Sequence, residues 1–144
     1  MEGSLHSARN VAATFSPRIE ISWGELIDKI TILEIKEQRL KSPDAVANVR
    51  RELKVLLSAV EGVFAVQSTL ATLKHDLRSV NEALWQIEDK IRAKEASKSF
   101  DQEFIELARS VYQQNDKRAS LKRQINKILN SELVEEKQYS SYSV

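Results

Sequence analysis

Two clusters of polar side chains stand at helical spacing in the C-terminal half of this 144-residue chain. Asn81, Trp85, Glu88 and Arg92 recur at intervals of four, three and four residues, with Asp89 beside them. That spacing puts them on one face of a helix. Arg109, Tyr112, Asn115, Asp116 and Arg118 crowd into the next helical segment. Such groups can form a desolvated salt-bridge network that fixes helix register. They can also line a polar cleft for an anionic or sugar-like small molecule, with Trp85 and Tyr112 as walls. An antiparallel turn near Ser99 brings together residues whose numbers sum to about 200. Glu88 then faces Tyr112, Trp85 faces Asn115, and acids such as Glu82 or Asp89 face Arg109 and Arg118. These ten residues are the candidate ligand-binding set.

Other chemistry finds no foothold in the residues. There is no cysteine, so thiol catalysis, disulfides and thiolate metal sites are excluded together. The two histidines are His6, near the start, and His75, beside the Leu73/Leu77 stripe and expected at the surface. Neither belongs to a Glu-x-x-His pair, the usual di-iron signature of helical bundles. With three glycines in the chain there is no Gly-rich phosphate loop and no G-x-S-x-G elbow. No catalytic residue, metal ligand or cofactor is therefore assigned. The run from Lys117 to Lys127 holds five basic residues and no acid. It is read as a solvated helix face that complements the carbonyl end of the helix dipole, not as a phosphate-facing strip.

Net charge is +1, so no whole-molecule field draws the chain to nucleic acid or to an anionic membrane. No apolar run approaches the ~20 residues of a membrane-spanning helix. The first fifteen residues lack the basic start and apolar core of a signal peptide. The expectation is a cytoplasmic protein whose residues 1–18 are a flexible leader.

The elements that must position the polar clusters are helices. Three glycines and two prolines supply few of the turns that a sheet fold needs, while 30% charged and 42% hydrophobic residues suit long amphipathic helices. Arg18 to Ile21 reads as an extended piece that docks through Ile19 and Ile21. Ser22-Trp23-Gly24-Glu25 has the spacing of a capping box, in which Ser22 accepts from the Glu25 N–H and Glu25 reaches back to Ser22. The first helix runs to about Lys41, with Leu26, Ile30, Leu33 and Leu40 on one stripe. Ile27, Ile32 and Ile35 widen that face, so this helix has neighbours on two sides.

Ser42-Pro43 caps and starts a second helix, which carries Val46 to Val60 and ends between Glu61 and Gln67. The third has an unbroken seam of Leu70, Leu73, Leu77, Val80, Leu84, Ile87 and Ile91. Ser99 or Asp101 caps the fourth, which reaches about Leu129 and places Gln114 and Arg118 where its seam expects apolar residues. The fold class is all-α, an elongated antiparallel bundle whose two long C-terminal helices form a coiled-coil-like hairpin. Residues 19–131 make the domain and 132–144 a loose tail. So long a seam in so small a chain predicts a homodimer.

Several stretches together resemble a family of small bacterial proteins, DUF6165. They are ISWGELIDKITILEIKEQRL, NVRREL, NEALWQIEDKIRAKE, FIELARSVYQQNDKRASLKRQIN and SELVEEKQY. The resemblance spans roughly residues 19–139. Its motif residues stand here as Asp28, Glu34, Lys36, Arg51 and Glu52, together with all ten residues of the two polar clusters. It implies a stand-alone protein linked to sugar-transfer and polysaccharide genes, with no activity attached. Leu26 to Leu33 is also similar to the opening helix of all-helical chorismate mutases. Trp23-Gly24-Glu25, however, stands where that family places a substrate-binding arginine. The function expected is a non-enzymatic binding or accessory protein, linked to cell-envelope sugar metabolism. The alternative is a small-ligand binder or enzyme with a polar pocket between the third and fourth helices.

Overall fold

The computed structural model describes residues 15–142 and is 73% helix, with no strand among the described residues. The helices are α1 (Trp23–Arg39), α2 (Pro43–Ala59), α3 (Val63–Val66), α4 (Ser68–Ala96) and α5 (Gln102–Ile128). His6 and most of the expected leader lie outside the described residues.

Local chemistry sets the boundaries. Ser22 Oγ accepts the Glu25 N–H at 3.2 Å, the expected first half of a capping box. Glu25 does not complete the box. Its carboxylate turns outward to Lys122 at 2.8 Å, an ion pair stronger than a return bond to the cap. Ser42 caps α2 through the Ala45 N–H at 3.4 Å, and Pro43 takes the first helical position. α2 stops at Ala59, earlier than the sequence predicts, because Gly62 adopts a left-handed φ of 81° and restarts the chain as the single turn α3.

The α4–α5 turn is a Schellman motif with Lys98 as its left-handed residue, φ 54°. Ser99 N–H bonds Lys94 C=O at 2.9 Å and Lys98 N–H bonds Glu95 C=O at 3.1 Å. Asp101, rather than Ser99, then caps α5 by accepting the Phe104 N–H at 3.0 Å.

α1 is the central helix, with α2 on one side and the α4–α5 hairpin on the other. Its two apolar stripes fill two cores. Leu26, Ile30 and Leu33 meet Val49, Leu53 and Val60 of the α2 side, while Ile27 meets Leu70, Leu73, Leu77 and Ile125. The expected neighbours on two sides are therefore present. Ile19 and Ile21 do not dock: they are 81% and 41% exposed, because the extended piece runs outside both cores.

Gly24 fixes how closely α1 approaches α5. A Cβ there would lie 2.5 Å from the Lys122 carbonyl oxygen. The Gly24 N–H donates to Asn126 Oδ1 at 2.7 Å, and the Trp23 N–H donates to Ser131 Oγ at 3.2 Å. The free donors at the start of α1 are thus satisfied by α5 and the turn that follows it.

α4 and α5 span about 44 and 40 Å at ~1.5 Å per residue, and α1, with 17 residues, is much shorter. Leu70, Leu73 and Leu77 are buried, but Val80, Leu84, Ile87 and Ile91 are only half-buried. No described helix is long and apolar enough to cross a membrane.

Candidate functional site

Asp28 lies on the buried side of α1, 1% exposed among isoleucines. An ionised carboxylate is tolerated there only with partners. Arg118 supplies two, donating from Nε at 2.9 Å and from Nη2 at 2.5 Å to the two carboxylate oxygens. Asn81 Nδ2 donates to the same carboxylate at 2.9 Å and to Thr31 Oγ1 at 2.9 Å. Thr31 passes its own proton to the Asp28 carbonyl at 2.7 Å. Asn81 of α4 and Arg118 of α5 thus converge on one carboxylate of α1. The Asp28 hydrogen bond holds the Arg118 guanidinium above its ordinary range, against the burial that would lower it.

Further ion pairs surround this centre. Glu34 of α1 holds Lys74 at 2.8 Å and Arg78 at 3.1 Å. Arg39, near the end of α1, pairs with Glu82 and lies 5.9 Å from the centre of the Trp85 ring. Lys122 is 6% exposed and bridges Glu25 at 2.8 Å and Glu135 at 2.7 Å. Burial alone would depress the Lys122 ammonium. The hydrogen bonds that Lys122 donates to Glu135 and Glu25 outweigh it and raise the pKa, and Lys122 in turn lowers that of Glu135.

Above the Asp28 centre, α1 ends and leaves a cleft of about 350 Å³ against α4. Ile32, Ile35, Leu84 and Trp85 form apolar walls, Arg118 and Asn81 the floor, and Glu88, Asp89 and Arg92 the rim. Arg92 Nε donates to Glu88 at 3.0 Å. Six of the ten predicted residues therefore share this cleft: Asn81, Trp85, Glu88, Asp89, Arg92 and Arg118.

The other four do not. Arg109, Tyr112, Asn115 and Asp116 lie elsewhere on α5, and the C-terminal segment folds back on part of that face. Tyr142 donates its hydroxyl to Asp116 Oδ2 at 2.6 Å and meets the Tyr112 ring edge-on at 5.0 Å between centres. Asn115 lines a neighbouring depression with Lys137 and Tyr139. Among the described residues, Arg109 Nε reaches only the Tyr112 hydroxyl, at 3.4 Å.

Asn81 and Arg118, whose numbers sum to 199, meet at one carboxylate, whereas Glu88 and Trp85 line the cleft and Tyr112 and Asn115 do not. The predicted acids do not meet Arg118. Arg118 pairs with Asp28 of α1, not with Glu82 or Asp89 of α4, because α1 lies in the groove between the two long helices. Glu82 is taken by Arg39, and Arg109 has no carboxylate among its described contacts.

The basic run is also not a solvated face. Lys122 and Arg118 turn inward to acids on α1, and only its remaining cations face water. His75 is exposed, as expected.

Asp28, Thr31, Glu25, Glu34, Lys122 and Glu135 complete the network but were not placed in it from spacing. One signal was available for the first two. Asp28 and Thr31 interrupt the Ile27–Ile30 apolar face one turn apart, which marks a polar pair pointing into a core. Among the described residues no three His, Cys, Asp or Glu side chains are grouped to hold a metal ion.

Among curated proteins and solved structures no match is found. A family model does match, over residues 17–143, and takes in the Asp28 centre, the Trp85 cleft and the folded-back C-terminal segment. The chain belongs to the family of unknown function DUF6165.

Proposed function

We propose that this chain is a non-enzymatic binding or accessory protein that takes a small anionic or sugar-like molecule in the Trp85 cleft. One observation carries the proposal: a fixed cation and an aromatic wall meet in a largely apolar concavity. Arg118 spends Nε and Nη2 on Asp28, and its Nη1 makes no hydrogen bond among the described residues. A guanidinium already locked by a buried carboxylate loses little freedom when it binds an anion. Arg39 lies over the Trp85 ring and helps hold it against the cleft. Ring-bearing ligands gain from such a wall through face contact. The volume lies within the range of small-molecule sites.

Arg118 is engaged with Asp28 and Arg92 with Glu88, which favours recognition over proton transfer. The setting within this proposal is cytoplasmic and tied to cell-envelope sugar or polysaccharide metabolism, and it guides the ligands to try. Thermal-shift measurements with nucleotide sugars, sugar phosphates and small carboxylates test the cleft. A ligand that raises the melting temperature of the natural chain but not of Trp85→Ala supports it. No shift with any class at millimolar concentration rejects it.

We also propose that the chain acts as a homodimer. The half-buried Ile87 and Ile91 lie past Glu82 and Trp85, where Arg39 ends the short central helix, and a second copy of the hairpin offers a seam of matching length. Analytical ultracentrifugation at micromolar concentration giving only monomer rejects this part.

A further inference from the structure

A second concavity, independent of the Trp85 cleft, lies where the C-terminal segment folds back along α5. It encloses about 580 Å³ and is lined by α5 on one side and residues 137–142 on the other. The α5 side is a single stripe, Tyr112, Asp116, Ala119 and Arg123, spaced four, three and four residues apart. That stripe is about 16 Å long at ~1.5 Å per residue. Ala119 leaves its middle unfilled.

The two ends differ in chemistry. At one end Tyr112 and Tyr142 stack edge-on, and Asp116 is occupied by the Tyr142 hydroxyl at 2.6 Å. At the other end stands Arg123. Lys137 and the hydroxyl-bearing Ser140 and Ser141 come from the folded-back segment. Among the described residues neither Arg123 nor Lys137 has a carboxylate partner, although ten other Lys and Arg side chains do. Tyr139, 79% exposed, also borders the opening.

Unpaired cations beside hydroxyl donors suit a phosphate, because Arg and Lys make charge-assisted bonds to its oxygens and serine adds neutral ones. Tyrosine faces suit a flat or pyranose ring at the far end. The one acid in the concavity, Asp116, is two turns from Arg123, about 10 Å along the helix; Lys137 and Tyr139 border the Asp116 end, where the carboxylate is already capped by Tyr142. We infer that this concavity binds a phosphate monoester whose ring lies against Tyr112 and Tyr139 and whose phosphate lies over Ala119, between Arg123 and Lys137.

Isothermal titration of the full chain tests this with a nucleoside monophosphate, a hexose phosphate and inorganic phosphate. One of the two esters is expected to bind at least tenfold more tightly than inorganic phosphate, and the tighter ester identifies the ring. Arg123→Gln/Lys137→Gln is expected to weaken that binding by at least tenfold, with an unchanged circular-dichroism spectrum, because both side chains are at the surface. Tyr139→Ala is expected to weaken the ester but not inorganic phosphate. Binding must survive Trp85→Ala, which separates this site from the Trp85 cleft. Absence of ester binding below about 1 mM, a natural and a double-variant chain that bind equally, or inorganic phosphate matching both esters would overturn the inference.

Discussion

Arg118→Met removes the charge at the centre of the network while keeping a side chain of similar length and apolar stem. It leaves Asp28, 1% exposed, with Asn81 as the one remaining side-chain donor to its carboxylate. Breaking a buried ion pair from one side costs ~3–5 kcal/mol. The Arg118 side chain is 28% exposed, so water reaches part of the vacated space, and the lower end of that range applies. With a urea slope of about 1.5 kcal/mol/M, a loss of ~3 kcal/mol moves the unfolding midpoint down by about 2 M. Urea denaturation followed by circular dichroism at 222 nm reads that shift directly. Replacing both partners, as Asp28→Leu/Arg118→Met, removes the stranded charge and should recover more than half of the loss. A single-variant midpoint within about 0.5 M of the natural one would mean that the pair is hydrated, and the desolvation reasoning would be wrong.

Gly24→Ala should destabilise the chain despite the ~1 kcal/mol helix-propensity gain that alanine brings. The new Cβ meets a backbone carbonyl at 2.5 Å, and displacing α1 from α5 costs ~1–3 kcal/mol, a fall of several degrees in Tm. Lys98→Gly should stabilise it by about 0.5 kcal/mol. Relief of the left-handed backbone outweighs the extra freedom that glycine has when unfolded, and the urea midpoint checks the sign.

Glu135→Gln should cost up to ~1 kcal/mol at neutral pH, as expected of a partly exposed pair. Glu135 is lowered from 4.5, so its contribution is present above that value and lost as pH falls through its folded pKa. Lys122 is raised from 10.5, so its share is present below that value and lost only as pH rises through its higher folded pKa. The difference between the two chains should therefore stay flat from pH 5 to 9 and vanish in acid.

What was legible in the sequence was mostly local. Ser22, Ser42, Pro43 and Asp101 announce helix starts because a cap acts within one turn. The α4 seam announces its partner because a three-four repeat has one burial solution. The meeting of Asn81 and Arg118 agrees with the turn position, since their numbers sum to 199. The partner of Arg118 was not legible, because the acid that meets it lies 90 residues away on a helix whose approach depends on Gly24 lacking a side chain. Placement of α1 in the groove between the long helices redirects Glu82 to Arg39 and turns part of the basic run inward. Tyr112, Asn115 and Asp116 share helical spacing with the cleft residues, yet they lie by the returning C-terminal segment. Its contact with α5 rests on the Glu135–Lys122 pair, one hydroxyl–carboxylate bond and two crossed rings, too few residues to leave a pattern.

Recognition at the Trp85 cleft is tested most directly by fluorescence of Trp23→Phe, a chain whose only tryptophan is Trp85. Titration with the ligand class that gives the largest thermal shift should quench or shift that emission saturably. The midpoint should match the affinity measured by calorimetry on the natural chain, and Arg118→Lys, which keeps a charge but not the bidentate fork, should weaken it at least tenfold. A ligand whose thermal shift is lost in Trp85→Ala, yet which binds by calorimetry and leaves the Trp85 emission unchanged, would contradict the placement of the site.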